Sequence, residues 1–116
     1  MPGMMHYGRL AWSPDGRHLA AASGASLTVL DSHGEIVARL RLPSKYYQDV
    51  AFTPCGRFLA AVSNEKTLKV YETASWSLRH ELAWEIGPLK TLAFSPDGML
   101  GAASGTRKIV VWDIDW

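Results

Sequence analysis

A chain of 116 residues that is 47% hydrophobic can build one packed domain, which excludes a disordered polar tail. Its 12 Lys and Arg against 11 Asp and Glu leave a formal charge of +1 with no run of five like charges, so neither nucleic acid nor an anionic membrane is an expected partner. The single cysteine, Cys55, excludes an internal disulfide and a multi-thiolate metal site, and leaves the fold to be held by packing alone.

In chain order, the opening MPGMMHYGRL lacks the basic stretch and apolar core of a signal peptide, and no later apolar run reaches the length of a membrane span. The expected location is the cytoplasm. A pattern then begins: Leu10-Ala11-Trp12 leads into Ser13-Pro14-Asp15-Gly16, the Ala-rich run LAAAS at 19–23, and LTVLD at 27–31, which closes on an acid. The same order returns as Val50-Ala51-Phe52, TPCG at 53–56, LAAVS at 59–63 and LKVYE at 68–72. It returns again as Leu92-Ala93-Phe94, SPDG at 95–98, GAAS at 101–104 and IVVWD at 109–113. The tetrapeptides start 40 and 42 residues apart, and each precedes its closing acid by 18, 19 and 18 residues. Agreement of order, spacing and residue class in three copies identifies an internal repeat.

Each recurring segment reads as a short strand. Thr67-Leu68-Lys69-Val70-Tyr71 alternates with period two and is rich in β-branched and aromatic residues, and no ten-residue window carries a helical stripe. Pro14, Pro54 and Pro96 preset φ for a turn, and the glycine two positions later takes a conformation other residues resist, so these are hairpins between first and second strands. Asn64-Glu65-Lys66 and Thr106-Arg107-Lys108 join second strands to third ones, and Ser32-His33-Gly34 and Ala74-Ser75-Trp76-Ser77 lead into fourth strands at 36–42 and 78–84. The resulting prediction is an all-β chain of about 11 strands, arranged as four, four and three.

Four short antiparallel strands in a repeat of about 40–45 residues form a propeller blade. The sequence resembles the WD-repeat (WD40) family, whose blades carry a first strand ending in an SPDG-like turn, an Ala/Ser-rich second strand and a third strand closing on Trp-Asp. Trp112-Asp113 is that dipeptide, Tyr71-Glu72 a conservative variant and Leu30-Asp31 a degenerate one. The resemblance covers residues 7–116, nearly the whole chain, and implies a partial β-propeller in one domain over 1–116, with blades at about 7–42, 46–84 and 88–116, the last incomplete. The family's Gly-His dipeptide is missing, since its positions hold Gly3, Pro43 and Glu85, so the hydrogen-bond network built on that histidine cannot assemble. Apolar packing between neighbouring blades is expected in its place.

Trp12, Phe52 and Phe94, with Leu10, Val50 and Leu92, recur at matched positions and read as inter-blade core rather than as a ligand pocket. Leu30, Tyr71 and Trp112 read likewise as packing residues. Asp31, Glu72 and Asp113 occur one per blade, too far apart for paired acid-base chemistry, and are assigned to turns and strand ends. His6, His18, His33 and His80 fall at unrelated repeat positions without metal-site spacing, and Cys55 replaces a turn aspartate at a hairpin tip. No nucleophile elbow and no phosphate-binding glycine loop occurs. Neither catalysis nor a cofactor or metal is expected.

The function implied by the resemblance is a non-catalytic scaffold for protein-protein interaction or for self-assembly into a propeller. The alternative is a propeller segment of a larger multidomain protein that supports or gates a catalytic domain. In WD-repeat propellers partners dock on the loops before first strands and between second and third strands. Carried over, those loops hold His6, Tyr7 and Arg9, then Tyr46, Tyr47, Gln48, Asn64 and Glu65, then Leu89, Lys90 and Arg107. Arg9, Tyr46, Tyr47 and Arg107 are the candidate contacts, because Tyr and Arg combine large contact area with a polar tip. Closed propellers have about 4–8 blades. Three repeats are therefore expected to complete a ring either as a homo-oligomer or with the remaining blades of a longer chain.

Overall fold

The computed structural model describes residues 8–41, 46–64, 66–84 and 86–116. Among them are eleven strands and no helix, in three antiparallel sheets. The first sheet runs in the order β1 (Arg9–Trp12), β2 (His18–Ser23), β3 (Ser26–Asp31) and β4 (Ile36–Arg41). The second holds β5 (Tyr47–Phe52), β6 (Phe58–Ser63), β7 (Thr67–Glu72) and β8 (Ser77–Ala83). The third holds β9 (Thr91–Phe94), β10 (Leu100–Ser104) and β11 (Ile109–Asp113). The chain is thus all-β, with the four-four-three arrangement of partial propeller blades. Leu42, the expected end of a fourth strand, lies outside the described residues, as do the Gly-His positions Gly3, Pro43 and Glu85.

The repeated tetrapeptide folds the same way each time, and the reason is chemical. Gly16, Gly56 and Gly98 have φ of 73°, 79° and 75°, a region open to glycine, and each N–H donates at 2.9 Å to the carbonyl three residues earlier. In the first hairpin the Ser13 hydroxyl donates to Asp15 Oδ1 at 2.7 Å while accepting the His18 N–H at 3.0 Å, and Arg17 N–H donates to the same carboxylate at 3.0 Å. Ser95, Asp97, Leu100 and Met99 repeat that network. In the middle hairpin Thr53 Oγ1 accepts from Phe58 N–H at 3.2 Å, and Cys55 Sγ, 3.4 Å away, stands where the carboxylate would be.

A second feature repeats without a sequence signature. Pairing shifts by one residue between Val29 and Leu30 against β4, and between Val70 and Tyr71 against β8. These matched bulges leave Val37 and Arg79 unpaired and increase the local twist. A third bulge between Tyr47 and Asp49 leaves Gln48 over, and the extra residue resets the alternation of β5.

The innermost strands β1, β5 and β9 lie side by side, and the sheets stack face to face through two cores. In the first, Ala20, Ala22, Leu27 and Val29 of blade 1 meet Tyr47, Val50, Phe52, Leu59, Ala61 and Tyr71 of blade 2. In the second, Phe58, Ala60, Val62, Leu68 and Val70 of blade 2 meet Leu89, Leu92 and Ala103 of blade 3, with Phe94 and Trp112 partly buried against them. Each blade therefore presents a face of small and β-branched residues to the next, and a face of larger side chains to the one before. Hairpin tips continue the stack. A Cβ at Gly56 would lie 3.8 Å from Pro14 Cδ, and one at Gly98 3.9 Å from Pro54 Cβ.

The matched aromatic positions do not share one fate. Phe52 is 8% exposed, whereas Trp12 is 61% exposed and Leu10 is exposed beside it. Inter-blade burial was expected for all of them, but it requires a blade on the large-residue side, and nothing covers that side of blade 1 among the described residues.

Candidate functional site

Because the strands are antiparallel, every blade has two rims. One carries the SPDG-type hairpins and the turns after third strands; the other carries the loops before first strands and those between second and third strands. The candidate contact residues belong to this second rim. Arg9 opens β1 opposite Ala22, near the β2–β3 turn, and is exposed. Tyr46 is 59% exposed and is held by its own backbone: its N–H donates to Asn64 Oδ1 at 2.8 Å, and its carbonyl accepts the Asn64 N–H at 3.0 Å. Arg107 is exposed in the β10–β11 turn, next to Lys108. That turn is fixed by the Gly105 N–H donating to the Lys108 carbonyl at 2.9 Å, and Lys90 N–H donates to Ser104 O at 2.7 Å to hold the neighbouring loop. Arg9, Tyr46 and Arg107 thus share a rim but are spread over three blades. His6, Tyr7 and Glu65, expected on the same loops, lie outside the described residues.

Tyr47 requires a correction. It is only 8% exposed and packs in the first inter-blade core with Val50 and Phe52, so its ring is not offered to a partner. The cause is the bulge at Gln48, which turns Tyr47 onto the face of Val50 where strict alternation would have opposed them. Its N–H donates to the Gly24 carbonyl of blade 1 at 2.8 Å, tying the two blades at this rim.

Asp49 has a role that sequence reasoning missed. Its Oδ2 accepts the Leu92 N–H at 3.0 Å, reaching from blade 2 to the first strand of blade 3 across 43 residues. A carboxylate accepting a backbone N–H at a sheet edge is a charge-assisted bond, stronger than a neutral one. The only available signal was an acid at a position that Arg9 and Thr91 occupy in the other repeats.

Exposed cations gather on the contact rim. Arg9, Arg41, Lys66, Lys90, Arg107 and Lys108 are all exposed at or next to the contact rim, where the described acids are Asp49, which accepts the Leu92 N–H, and Glu81, which pairs with Lys69 at 3.3 Å. The opposite rim carries Asp15, Asp31, Glu35, Glu72 and Asp97, with Asp113 and Asp115 following the last strand. Asp15, Asp31, Glu72 and Asp97 are committed to the fold. Hydrogen bonds from the Ser13 hydroxyl and the Arg17 N–H hold Asp15 below the ordinary carboxylate value of 3.8, and Ser95 and Met99 do the same for Asp97. Asp31 is lowered by the N–H groups of Glu35 and then His33, at 3.0 and 2.8 Å. Glu72 pairs with Arg79 at 3.2 Å and Arg57 at 3.8 Å. Asp15, Asp31, Glu72 and Asp97 act as turn and strand-end groups.

The thiol of Cys55 lies beside a groove of about 200 Å³ between the hairpins of blades 2 and 3, lined also by Arg57, Phe58 and Trp116. Burial works to raise its pKa, but the Thr53 hydroxyl, the Arg57 N–H and the Arg57 charge outweigh it, so the net displacement is downward. No group of three or more His, Cys, Asp or Glu side chains able to hold a metal occurs among the described residues.

The third-strand aromatics complete the picture. The pairs Leu19 and Leu30, Leu59 and Tyr71, and Gly101 and Trp112 face each other across second and third strands. The partner is leucine opposite Leu30 and Tyr71, and glycine opposite the larger Trp112. The Trp112 ring lies 4.8 Å from that of Trp84 at a tilt of 39°, and its buried indole N–H finds no acceptor among the described residues.

Comparison with known proteins agrees with this architecture. The family model described as "WD domain, G-beta repeat" matches residues 24–72. The chain is 38% identical over 104 residues to Protein HIR1 of Cryptococcus neoformans, an alignment covering 82% of this chain and 12% of the relative. It is 34% identical over 95 residues to an uncharacterized WD repeat-containing protein of Synechocystis, covering 80% of this chain and 27% of that protein. It is also 29% identical over 105 residues to the meiotic recombination protein rec14 of Schizosaccharomyces pombe, covering 88% and 35%. The chain therefore spans about an eighth to a third of the length of these relatives. Repeat spacing, blade topology, family model and relatives lead to one conclusion: the chain belongs to the WD-repeat family of β-propeller proteins.

Proposed function

We propose that this chain is a protein-interaction scaffold that docks an acidic segment of another protein on its basic rim. The observation that carries this reading is the placement of charge: exposed Arg and Lys from three blades gather on the rim where WD-repeat proteins receive partners, while Asp15, Asp31 and Asp97 of the opposite rim are bound up in turns. Tyr46, anchored by Asn64, adds a rigid amphipathic ring among those cations. Aromatic and arginine side chains of this kind dominate protein interfaces, and a single-sign surface raises the encounter rate with an oppositely charged partner.

Fluorescence anisotropy with a labelled Glu/Asp-rich peptide tests the reading. Binding should weaken as salt rises, because exposed charges are screened. It should also weaken by about tenfold or more in the Arg9→Glu/Arg107→Glu variant, while Asp97→Lys on the opposite rim leaves it unchanged. Binding that ignores both the rim variant and salt refutes the reading, as does a preference for duplex DNA over the peptide.

A further inference from the structure

We propose that the turn between β7 and β8 is a pH-responsive latch on the seam between blades 1 and 2, in which protonation of His18 tightens the grip of Trp76 on the preceding blade. The backbone gives the first sign of it. Trp76 has φ of 57° and is the one non-glycine residue at positive φ among the described residues. Blade 1 meets the same demand after its third strand with Gly34, at φ of 83°. A bulky side chain in that region persists only where its surroundings hold it there. Two contacts do so. The Trp76 N–H donates to the Glu72 carbonyl at 2.6 Å, and the indole reaches back to blade 1, where it meets the His18 imidazole edge to face at 5.3 Å and 77° and packs against the first inter-blade core. The contact lies within a seam that two four-stranded sheets close between them.

The seam between blades 2 and 3 shows that the clasp itself needs no charge. Trp116 follows the third strand of blade 3 as Trp76 follows that of blade 2, and it packs on Phe58 at 5.7 Å and 74°. Phe58 stands at the repeat position of His18, five residues after the start of the tetrapeptide. Histidine in place of phenylalanine adds one property, a ring that gains a charge between pH 8 and pH 5. An imidazolium within about 6 Å of an indole gains a cation–π attraction that the neutral ring lacks. The surrounding charges favour the same sign. Asp31 lies opposite His18 in the pairing of β2 with β3, and Asp15 lies in the adjoining hairpin. Both carboxylates interact with the His18 charge. The Ser13 hydroxyl holds Asp15 below the ordinary carboxylate value and the Glu35 N–H does so for Asp31, so both are ionised throughout that range. The nearby cations are engaged or screened: Arg17 lies 4.0 Å from Asp15, Arg57 and Arg79 pair with Glu72 on the blade 2 side, and His33 is exposed to solvent. The latch lies on the hairpin rim and is independent of the basic rim.

Hydrogen exchange of the Trp76 amide in the full chain tests the latch, with protection taken relative to the unfolded-chain rate at each pH and compared with the Val70 amide in the same sample. That relative protection should rise about two- to fivefold between pH 8 and pH 5, the worth of one cation–π contact at a partly exposed site. His18→Phe gives the first seam the ring that the second seam already uses, and should keep the clasp while abolishing the response to pH. His18→Gln should lower the protection and leave it equally flat. Circular dichroism checks that both variants are folded. His80 stacks on Trp116 at 5.6 Å in the second seam, so His80→Gln should retain the wild-type response at Trp76. Relative protection that is constant with pH in the wild type, that falls on acidification, or that rises in either His18 variant overturns the proposal.

Discussion

Replacing Gly101 by alanine should destabilise the protein by about 1–3 kcal/mol, the usual penalty for forcing an extra carbon into a filled site. Backbone considerations favour the opposite sign. Gly101 does not adopt positive φ, and alanine restricts the unfolded chain, which at a compatible site gains about 0.4–1 kcal/mol. Packing decides. A Cβ at Gly101 would lie against Trp112 Cζ2 and at 2.7 and 2.8 Å from Cε2 and Cη2, closer than the 3.0 Å that real Cβ atoms observe. The indole is flanked by Trp84 at 4.8 Å and by Phe94 and Trp116, both at 6.5 Å, so any retreat must displace a neighbouring ring or move towards solvent. Trp112→Leu should release the clash, since Leu30 faces Leu19 and Tyr71 faces Leu59 without difficulty. The double substitution should therefore cost less than the two single costs together, by about 0.5–3 kcal/mol of coupling. Urea melts followed by far-ultraviolet circular dichroism at one protein concentration measure this. With an m-value of about 1–3 kcal/mol/M, a loss of about 2 kcal/mol moves the midpoint by roughly 1 M. A raised midpoint for Gly101→Ala, or additive costs in the double variant, would refute the size-exchange argument.

Tyr46→Ala and Tyr47→Ala should separate sharply: Tyr47→Ala should cost about 3 kcal/mol through the buried core, and Tyr46→Ala less than about 0.5 kcal/mol while weakening peptide binding. Equal melting midpoints for the two variants would contradict the bulge at Gln48. Asp49→Ala leaves the Leu92 N–H without its acceptor and should cost about 1–3 kcal/mol, with hydrogen exchange of that amide accelerated selectively. Asp15 and Asp97 titrate below 3.8 in the folded chain and near 3.8 in the unfolded one, so their stabilisation is complete above about pH 5 and is lost as pH falls through the folded-state values. The urea midpoint should fall more between pH 5 and pH 3 for the wild type than for Asp15→Asn/Asp97→Asn, and identical pH profiles would remove these carboxylates from the account.

The blades were legible because their signals are local. Ser13-Pro14-Asp15-Gly16 specifies its hairpin through bonds within six residues, and the alternation at 67–71 marks a strand wherever its neighbours lie. Burial is different in kind. Leu10, Val50 and Leu92 are indistinguishable by repeat position, yet Leu10 is exposed and the other two are buried, because burial depends on whether another sheet lies opposite. The matched bulges at Val29/Leu30 and Val70/Tyr71 also escaped, since a bulge sits in the pairing of two strands and leaves no residue-type mark in either. The same hidden step at Gln48 sent Tyr47 inward while its neighbour Tyr46 stayed out.

The rim polarity was illegible for a related reason. Strands of four to seven residues carry the chain from rim to rim, so charges adjacent in sequence end on opposite sides. Arg9 and Asp15 flank β1, and Arg107 and Asp113 lie before β11 and at its end, so any window along the chain averages them towards zero. The fold undoes that averaging. On the hairpin rim an aspartate is wanted structurally, because its carboxylate accepts the N–H groups that the tight turn leaves over, as Asp15 does for Arg17 and Asp97 does for Met99. On the other rim the turns close through backbone bonds and Asn64, which place no demand on charge. Asp15, Asp31, Glu72 and Asp97 are therefore explained by stability, and the exposed cations of the other rim are not. An exposed charge with no structural duty is where function is to be sought, and this places the search at Arg9, Lys90 and Arg107 rather than at the acids that the repeat displays most plainly.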